Sequence, residues 1–224
     1  MWTQFDTNNP DHFDAEKYEV IPGSVKDHVI EVLKCVDEED AMVKIAAFFH
    51  DCGKPSTFKN VEGKVSFIGH DKVGGDVFDE IADKMKISNS EREEIQSVVK
   101  THMRMHLFME MSKSKCFDIV DSKHWETIYK VSKADDKSRL MNYDESHWEA
   151  VDSKVKDIKT MVANKAAVNS VVNGNIVMNI TGAKGKRIGE IITKTKAYII
   201  NKGIDVTTDE GKNQVEQYIK SFKG

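Results

Sequence analysis

A chain of 224 residues can bury a sizeable core as one domain, or as one domain with a small appendage. At 39% hydrophobic and 31% charged, with only three prolines, its composition excludes a disordered or low-complexity chain and describes a protein rich in helix formers. The net charge of −4 hides an asymmetry: residues 161–224 carry ten Lys/Arg and five Asp/Glu, leaving 23 basic and 32 acidic residues upstream, so an anionic partner would favour the C-terminal end.

The first residues, Met1-Trp2-Thr3-Gln4-Phe5-Asp6, lack a basic stretch followed by an apolar run, and no later segment has membrane-spanning length. A cytoplasmic protein without a membrane partner is expected. Val25, Val29, Val32, Leu33 and Val36 then follow Ser24 at helical spacing, which predicts a capped amphipathic helix. From Asp40 to His50 almost every position is apolar, and that all-round pattern predicts a buried central helix. Gly53 and Pro55 stop it, and residues 57–68 alternate around Glu62-Gly63 as a short hairpin, the one clear strand signal. Helical periodicity resumes at Val73, Val77, Phe78, Ile81 and Met85, and again at Ile95, Val98 and Val99 after the Ser88-Asn89-Ser90 break. Further helices are predicted at about 112–120, 123–137 and 142–165. Asn173-Gly174-Asn175 marks a break, followed by helices around Ile188–Ile199 and Val215–Phe222. This order predicts an all-α chain: a helical body over 1–165, and a small helical C-terminal segment over 166–224. Cys35, Cys52 and Cys116 are odd in number and lack Cys-x-x-Cys spacing, which points to buried or incidental thiols rather than disulfides or a zinc cage.

The most informative stretch is Phe48-Phe49-His50-Asp51-Cys52-Gly53-Lys54-Pro55, because it sets an imidazole and a carboxylate at the end of a helix that reads as buried. Leaving such groups dry and unpaired costs roughly 2 to 7 kcal/mol for each polar group. His28 lies on the apolar stripe of its helix, three residues after Val25 and four before Val32. His70 precedes Val73 and Val77 by three and seven, His102 follows Val98 and Val99, and Asp135 follows Ile128 and Val131 by seven and four. Asp136 is turned about 100° away from that stripe. Any one of these histidines alone reads as a satisfied core residue; their joint occurrence with Asp51 and Asp135 points to a divalent metal site. Nitrogen and carboxylate ligands suit one or two ions among Mg, Mn, Ni, Co, Fe and Zn without choosing between them, and such ions make bound water nucleophilic at neutral pH.

His28, His50-Asp51 followed by Gly-Lys-Pro, and distal Ala134-Asp135 resemble the signature of the HD metal-dependent phosphohydrolase superfamily. Phe49 to Pro55, Phe67-Ile68-Gly69-His70-Asp71-Lys72-Val73-Gly74 and Thr101-His102-Met103-Arg104 are similar, in the same order, to the HD domain of bacterial tRNA nucleotidyltransferases (the CCA-adding enzymes) and poly(A) polymerases. The similarity continues more loosely at Val172–Met178 and Gly185–Ile192, covering roughly His28 to Asp209. It implies an HD-type helical bundle, and hydrolysis of a nucleotide phosphomonoester, a cyclic phosphate or an RNA 2′,3′-cyclic phosphate end. Those enzymes begin with a nucleotidyltransferase head bearing a Gly-Ser or Gly-Gly loop and a paired-aspartate strand. Gly74-Gly75-Asp76 sits inside a helical pattern with no Asp-x-Asp strand after it, so nucleotide addition by this chain alone is not expected.

His28, His50, Asp51 and Asp135 would hold a first ion, and Asp51 would bridge to a second one supported by His70 and His102. Asp51 and Lys54 are the catalytic expectation, with Lys54 as a point charge on the phosphate; by position alone Lys54 reads equally as a lysine balancing a helix C-terminus. Arg104 is expected at the mouth of the site. His106 shares i, i+4 spacing with His102, but the resemblance supplies no ligand there. His12, His124 and His147 have no companions at ligand spacing and read as surface residues. In Gly182-Ala183-Lys184-Gly185-Lys186-Arg187, free N–H groups and three cations could meet an RNA or nucleotide phosphate, or the loop is simply solvated. A non-catalytic RNA-binding protein and the body of a split nucleotidyltransferase are the competing functions; the oligomeric state is left open by these residues.

Overall fold

The structure, a computed structural model, describes residues 25–36, 39–62, 64–139 and 143–223. Ser24, expected to cap the first helix, and His12 lie outside the described residues. The described chain is all-α apart from one hairpin. Its order is α1 (Val25–Cys35), α2 (Ala41–Phe49), α3 (Lys54–Thr57), β1 (Lys59–Val61), β2 (Lys64–Ser66), α4 (His70–Met85), α5 (Asn89–His106), α6 (Lys113–Val120), α7 (Trp125–Ser138), α8 (Glu145–Ala163), α9 (Lys165–Val171), α10 (Gly174–Thr181), α11 (Lys186–Lys202) and α12 (Asp209–Lys220). None of these helices is long and apolar enough to cross a membrane.

The chain divides into two compact units. The first takes the chain up to Phe108 together with Lys123–Glu149, and the second takes Met109–Ser122 with everything from Ala150. The helical pattern placed the division at 165/166; the compact units instead part within α8 and give α6 to the second.

In the first unit α1, α2, α5 and α7 pack on one another, and α4 lies against α5. The apolar stripes read from the sequence make this core: Val25, Val29 and Val32 of α1, Val43, Ala46 and Ala47 of α2, Val98 and Val99 of α5, and Ile128 and Val131 of α7 are all buried. Local chemistry sets the boundaries. Asp40 caps α2 by accepting from Val43 N at 3.2 Å. The Ser88 break is a capping box, in which Ser88 Oγ accepts from Glu91 N and Glu91 Oε2 accepts from Ser88 N at 3.1 Å. The hairpin pairs Lys59 with Ser66, Asn60 with Val65 and Val61 with Lys64, and Glu62 takes the left-handed conformation, φ 53°, at its turn.

Helix α2 is not buried on all faces, because Ile45 and Phe48 are 42% and 39% exposed. Only one side of it meets α5 and α7, and apolar residues on its outer side face solvent without altering the core.

Gly53 and Gly74 place the turn after α2. A Cβ on Gly53 would come within 2.1 Å of the His70 carbonyl oxygen, and one on Gly74 within 2.8 Å of the Val99 side chain. Two missing side chains thus let the 51–53 turn sit directly on the start of α4, which brings His70 up to Asp51. Cys52 ties the same contact by donating its S–H to Gly74 O at 3.3 Å.

The second unit has its own core of Val172, Val177, Ile191, Ile199, Val206, Val215 and Ile219. Asn173, which reads in sequence as part of a break, is the N-cap of α10 and accepts from Ile176 N at 3.1 Å. Tyr198 of α11 stacks on Tyr218 of α12 with centroids 4.0 Å apart.

Candidate metal centre

Three imidazoles in the first unit are held in one tautomer by the main chain. His50 Nδ1 lies 2.6 Å from Ala47 O, His70 Nδ1 2.9 Å from Phe67 O, and His102 Nδ1 3.0 Å from Val99 O. A carbonyl only accepts, so each Nδ1 carries a hydrogen, and in the neutral ring Nε2 keeps the lone pair. All three lone pairs come together at the ends of α2, α4 and α5. His70 Nε2 and His102 Nε2 stand 3.2 Å apart. Two lone pairs at that distance repel unless a proton or a metal cation lies against them.

Asp51 presents one oxygen to each of two groups. Its Oδ2 is 3.3 Å from His28 Nε2 and 3.2 Å from His50 Nε2, while its Oδ1 is 3.3 Å from His70 Nε2 and 3.6 Å from His102 Nε2. His28, His50 and Asp51 form one set of atoms close enough to share an ion, and Asp51, His70 and His102 form another. Asp135 joins the first set, its Oδ1 lying 3.2 Å from His28 Nε2 and 4.0 Å from His50 Nε2. His50 Nε2, Asp51 Oδ2 and Asp135 Oδ1 are buried and find no aligned hydrogen bond among the described residues. Nitrogen and carboxylate atoms converging from separate helices fit divalent first-row ions in donor type and in number.

A model of the HD domain family matches residues 15–127. The chain belongs to the HD-domain family. That family is one of metal-dependent phosphohydrolase type. The chain is also similar to an A-adding tRNA nucleotidyltransferase of Deinococcus radiodurans, 34% identical over 68 residues; the match covers 30% of this chain and 16% of the relative. The chain thus matches about a sixth of the length of that curated relative. No solved structure matches.

The other oxygen of Asp135 is fixed from behind. Its Oδ2 accepts from His106 Nε2 at 3.0 Å and is approached by Arg139 at 3.4 Å, which leaves Oδ1 turned to His28. Outer partners of this kind set the orientation and basicity of a ligand. His106 therefore backs Asp135. In the sequence Arg139 shows no signal beyond a spacing of four from Asp135.

The field of this HD domain's centre draws in positive charge. Burial opposes ionisation of Asp51, yet His50, Lys54, His102 and His28 outweigh it and hold the carboxyl well below the usual range. Burial likewise opposes Asp135, and Arg139, His106 and His28 hold it well down. Burial pulls His50 down too, but the Asp51 carboxylate beside it prevails and raises its pKa. His102 is lowered, chiefly by burial, which favours the neutral form that binds metals. Burial, helped by Asp51, pushes the Cys52 thiol up to about 12, so this sulfur is no nucleophile.

The remaining expected residues lie as follows. Lys54, the first residue of α3, is buried, with Nζ 2.5 Å from Asp51 Oδ2 and 5.7 Å from the Phe67 ring centroid. Arg104 stands two residues beyond His102 on α5, about 200° around the helix, and so on a different face. Lys184, Lys186 and Arg187 are exposed in the second unit, around Gly185 and the first turn of α11. His124, expected at the surface, is instead buried at the start of α7, where its Nδ1 lies 3.6 Å from a Glu94 carboxylate oxygen that offsets the burial of a polar ring. His147 is half-buried against Trp148.

Proposed function

We propose that this chain hydrolyses a phosphate ester of a nucleotide or RNA end, a phosphomonoester, a cyclic phosphate or an RNA 2′,3′-cyclic phosphate, at a centre of one or two divalent ions. The observation that carries the reading is Asp51, whose two oxygens face two separate groups of histidine lone pairs. His28, His50, Asp51 Oδ2 and Asp135 Oδ1 would hold one ion; Asp51 Oδ1, His70 and His102 would hold the other. Bound there, divalent ions supply charge neutralisation at the phosphoryl oxygens and an activated water at neutral pH. The chain's own part is to aim the imidazoles, through Nδ1–H bonds to main-chain carbonyls that leave Nε2 turned inward. Lys54 balances Asp51 and is the ammonium nearest to an arriving phosphate, which it meets as a point charge. Arg104, turned to another face of α5, drops out of the substrate set, and Lys184, Lys186 and Arg187 contact an RNA backbone. A transferase body that works with a separate head is a second reading, favoured by the partial match to the A-adding enzyme.

The test is a screen of phosphomonoesters, cyclic nucleotides and 2′,3′-cyclic phosphates with Mg, Mn, Co and Ni, run on the chain and on Asp51→Ala. Metal-dependent turnover that disappears in a variant with an unchanged circular dichroism spectrum supports the reading. Turnover retained by Asp51→Ala rejects the centre, and co-purification of a head subunit from the native host, with no turnover alone, favours the second reading.

A further inference from the structure

A cavity of about 590 Å³ opens within the second unit, among α6, the end of α8, α9, α11 and the segment that follows α11. Its size is that of small-molecule sites. Phe117, Val168, Ile199 and Val206 give it an apolar floor, and Lys113, Lys165 and Lys196 stand at its walls. Among the described residues Lys165 meets Asp121 at 2.5 Å and Lys196 donates to Asn169 Oδ1 at 2.7 Å. Lys113 differs. It is half-buried, has no carboxylate partner among the described residues, and is the first residue of α6, where the helix dipole disfavours a cation. A lysine kept in such a place, beside two others and over an apolar floor, suits an anion with a hydrophobic body. Of the two carboxylates at the wall, Asp205 is occupied by Thr207, which donates its N–H at 2.9 Å and its hydroxyl at 2.6 Å, and Asp157 is exposed.

We infer that this cavity binds a small organic anion of nucleoside monophosphate type, its base on the Phe117 and Val168 side and its phosphate among Lys113, Lys165 and Lys196. The site is independent of the metal centre and of any reaction there.

The probe is N-methylanthraniloyl-AMP, titrated by fluorescence into the full chain carrying Asp51→Ala, so that the metal centre is disabled. Saturable binding is expected, displaced by unlabelled AMP and at least tenfold less well by adenosine. Lys113→Ala with Lys196→Ala should weaken it at least tenfold, and Val168→Trp, which fills the floor, should abolish it in a protein of unchanged circular dichroism. The inference is overturned if no saturable signal appears, if the signal vanishes with Asp51→Ala but is present in the wild-type chain, if adenosine competes as well as AMP, or if the lysine and tryptophan variants bind like the parent.

Discussion

In the first unit the polar side chains are locked from behind: His50, His70 and His102 each give an Nδ1–H to a carbonyl, and Asp135 is gripped by His106 and Arg139. In the second, Lys184, Lys186 and Arg187 stand exposed with no ion-pair partner among the described residues. The difference separates two kinds of functional signal. Groups that are buried, pre-oriented and unsatisfied at one atom each define a ligand by their joint geometry. Exposed cations define only a sign of charge, whose interaction is weak, screened and tolerant of position.

The contrast can be broken most severely at Asp51, which both histidine groups share. Asp51→Asn keeps the volume and a partner for Lys54, and is expected to lower turnover on the order of a thousandfold or more, since several kcal/mol of charge stabilisation depend on the ions it holds. Calorimetric titration with Mn should show uptake falling together with turnover; unaltered uptake would contradict the shared-ligand assignment. Next, His70→Ala or His102→Ala should remove one ion and leave the other, read as a drop in bound metal per chain by elemental analysis, whereas an unchanged count would show that these imidazoles pack without ligating. The outer partners come third: Arg139→Leu and His106→Ala are expected to cost about 10- to 100-fold in metal affinity with the fold intact. Gly53→Ala tests the scaffold. Its Cβ meets backbone rather than a flexible side chain, so a loss of about 1 to 3 kcal/mol in denaturant unfolding is expected, and wild-type stability would refute the close approach. The smallest effect belongs to the tail, where replacing Lys184, Lys186 and Arg187 by Ala should leave hydrolysis of a small ester unchanged while shifting RNA binding and flattening its salt dependence.

Much of this was legible from residue spacing. Apolar stripes at 3.6-residue intervals located the helices of the first unit, and histidines lying on those stripes had to point inward, so the constellation of His28, His50, Asp51, His70, His102 and Asp135 followed from periodicity and from the family resemblance. What stayed hidden depends on three-dimensional packing. Arg139 looks like an ordinary cation at a helix end, one turn from Asp135, and only the approach of α5 to α7 brings His106 to the same carboxylate. Helix α2 misled through composition, since an apolar outer face carries no sign of its exposure. Asn173-Gly174-Asn175 read as a break because an N-cap and a loop use the same residues. The cavity of the second unit left no sequence trace, being lined from distant segments.

The central claim, that Asp51 lies between two groups of ligands, is tested most directly by anomalous diffraction from crystals soaked in manganese. Two peaks, one on the His28, His50 and Asp135 side of Asp51 and one on the His70 and His102 side, are predicted. Peaks confined to surface carboxylates, with none beside Asp51, would contradict the account.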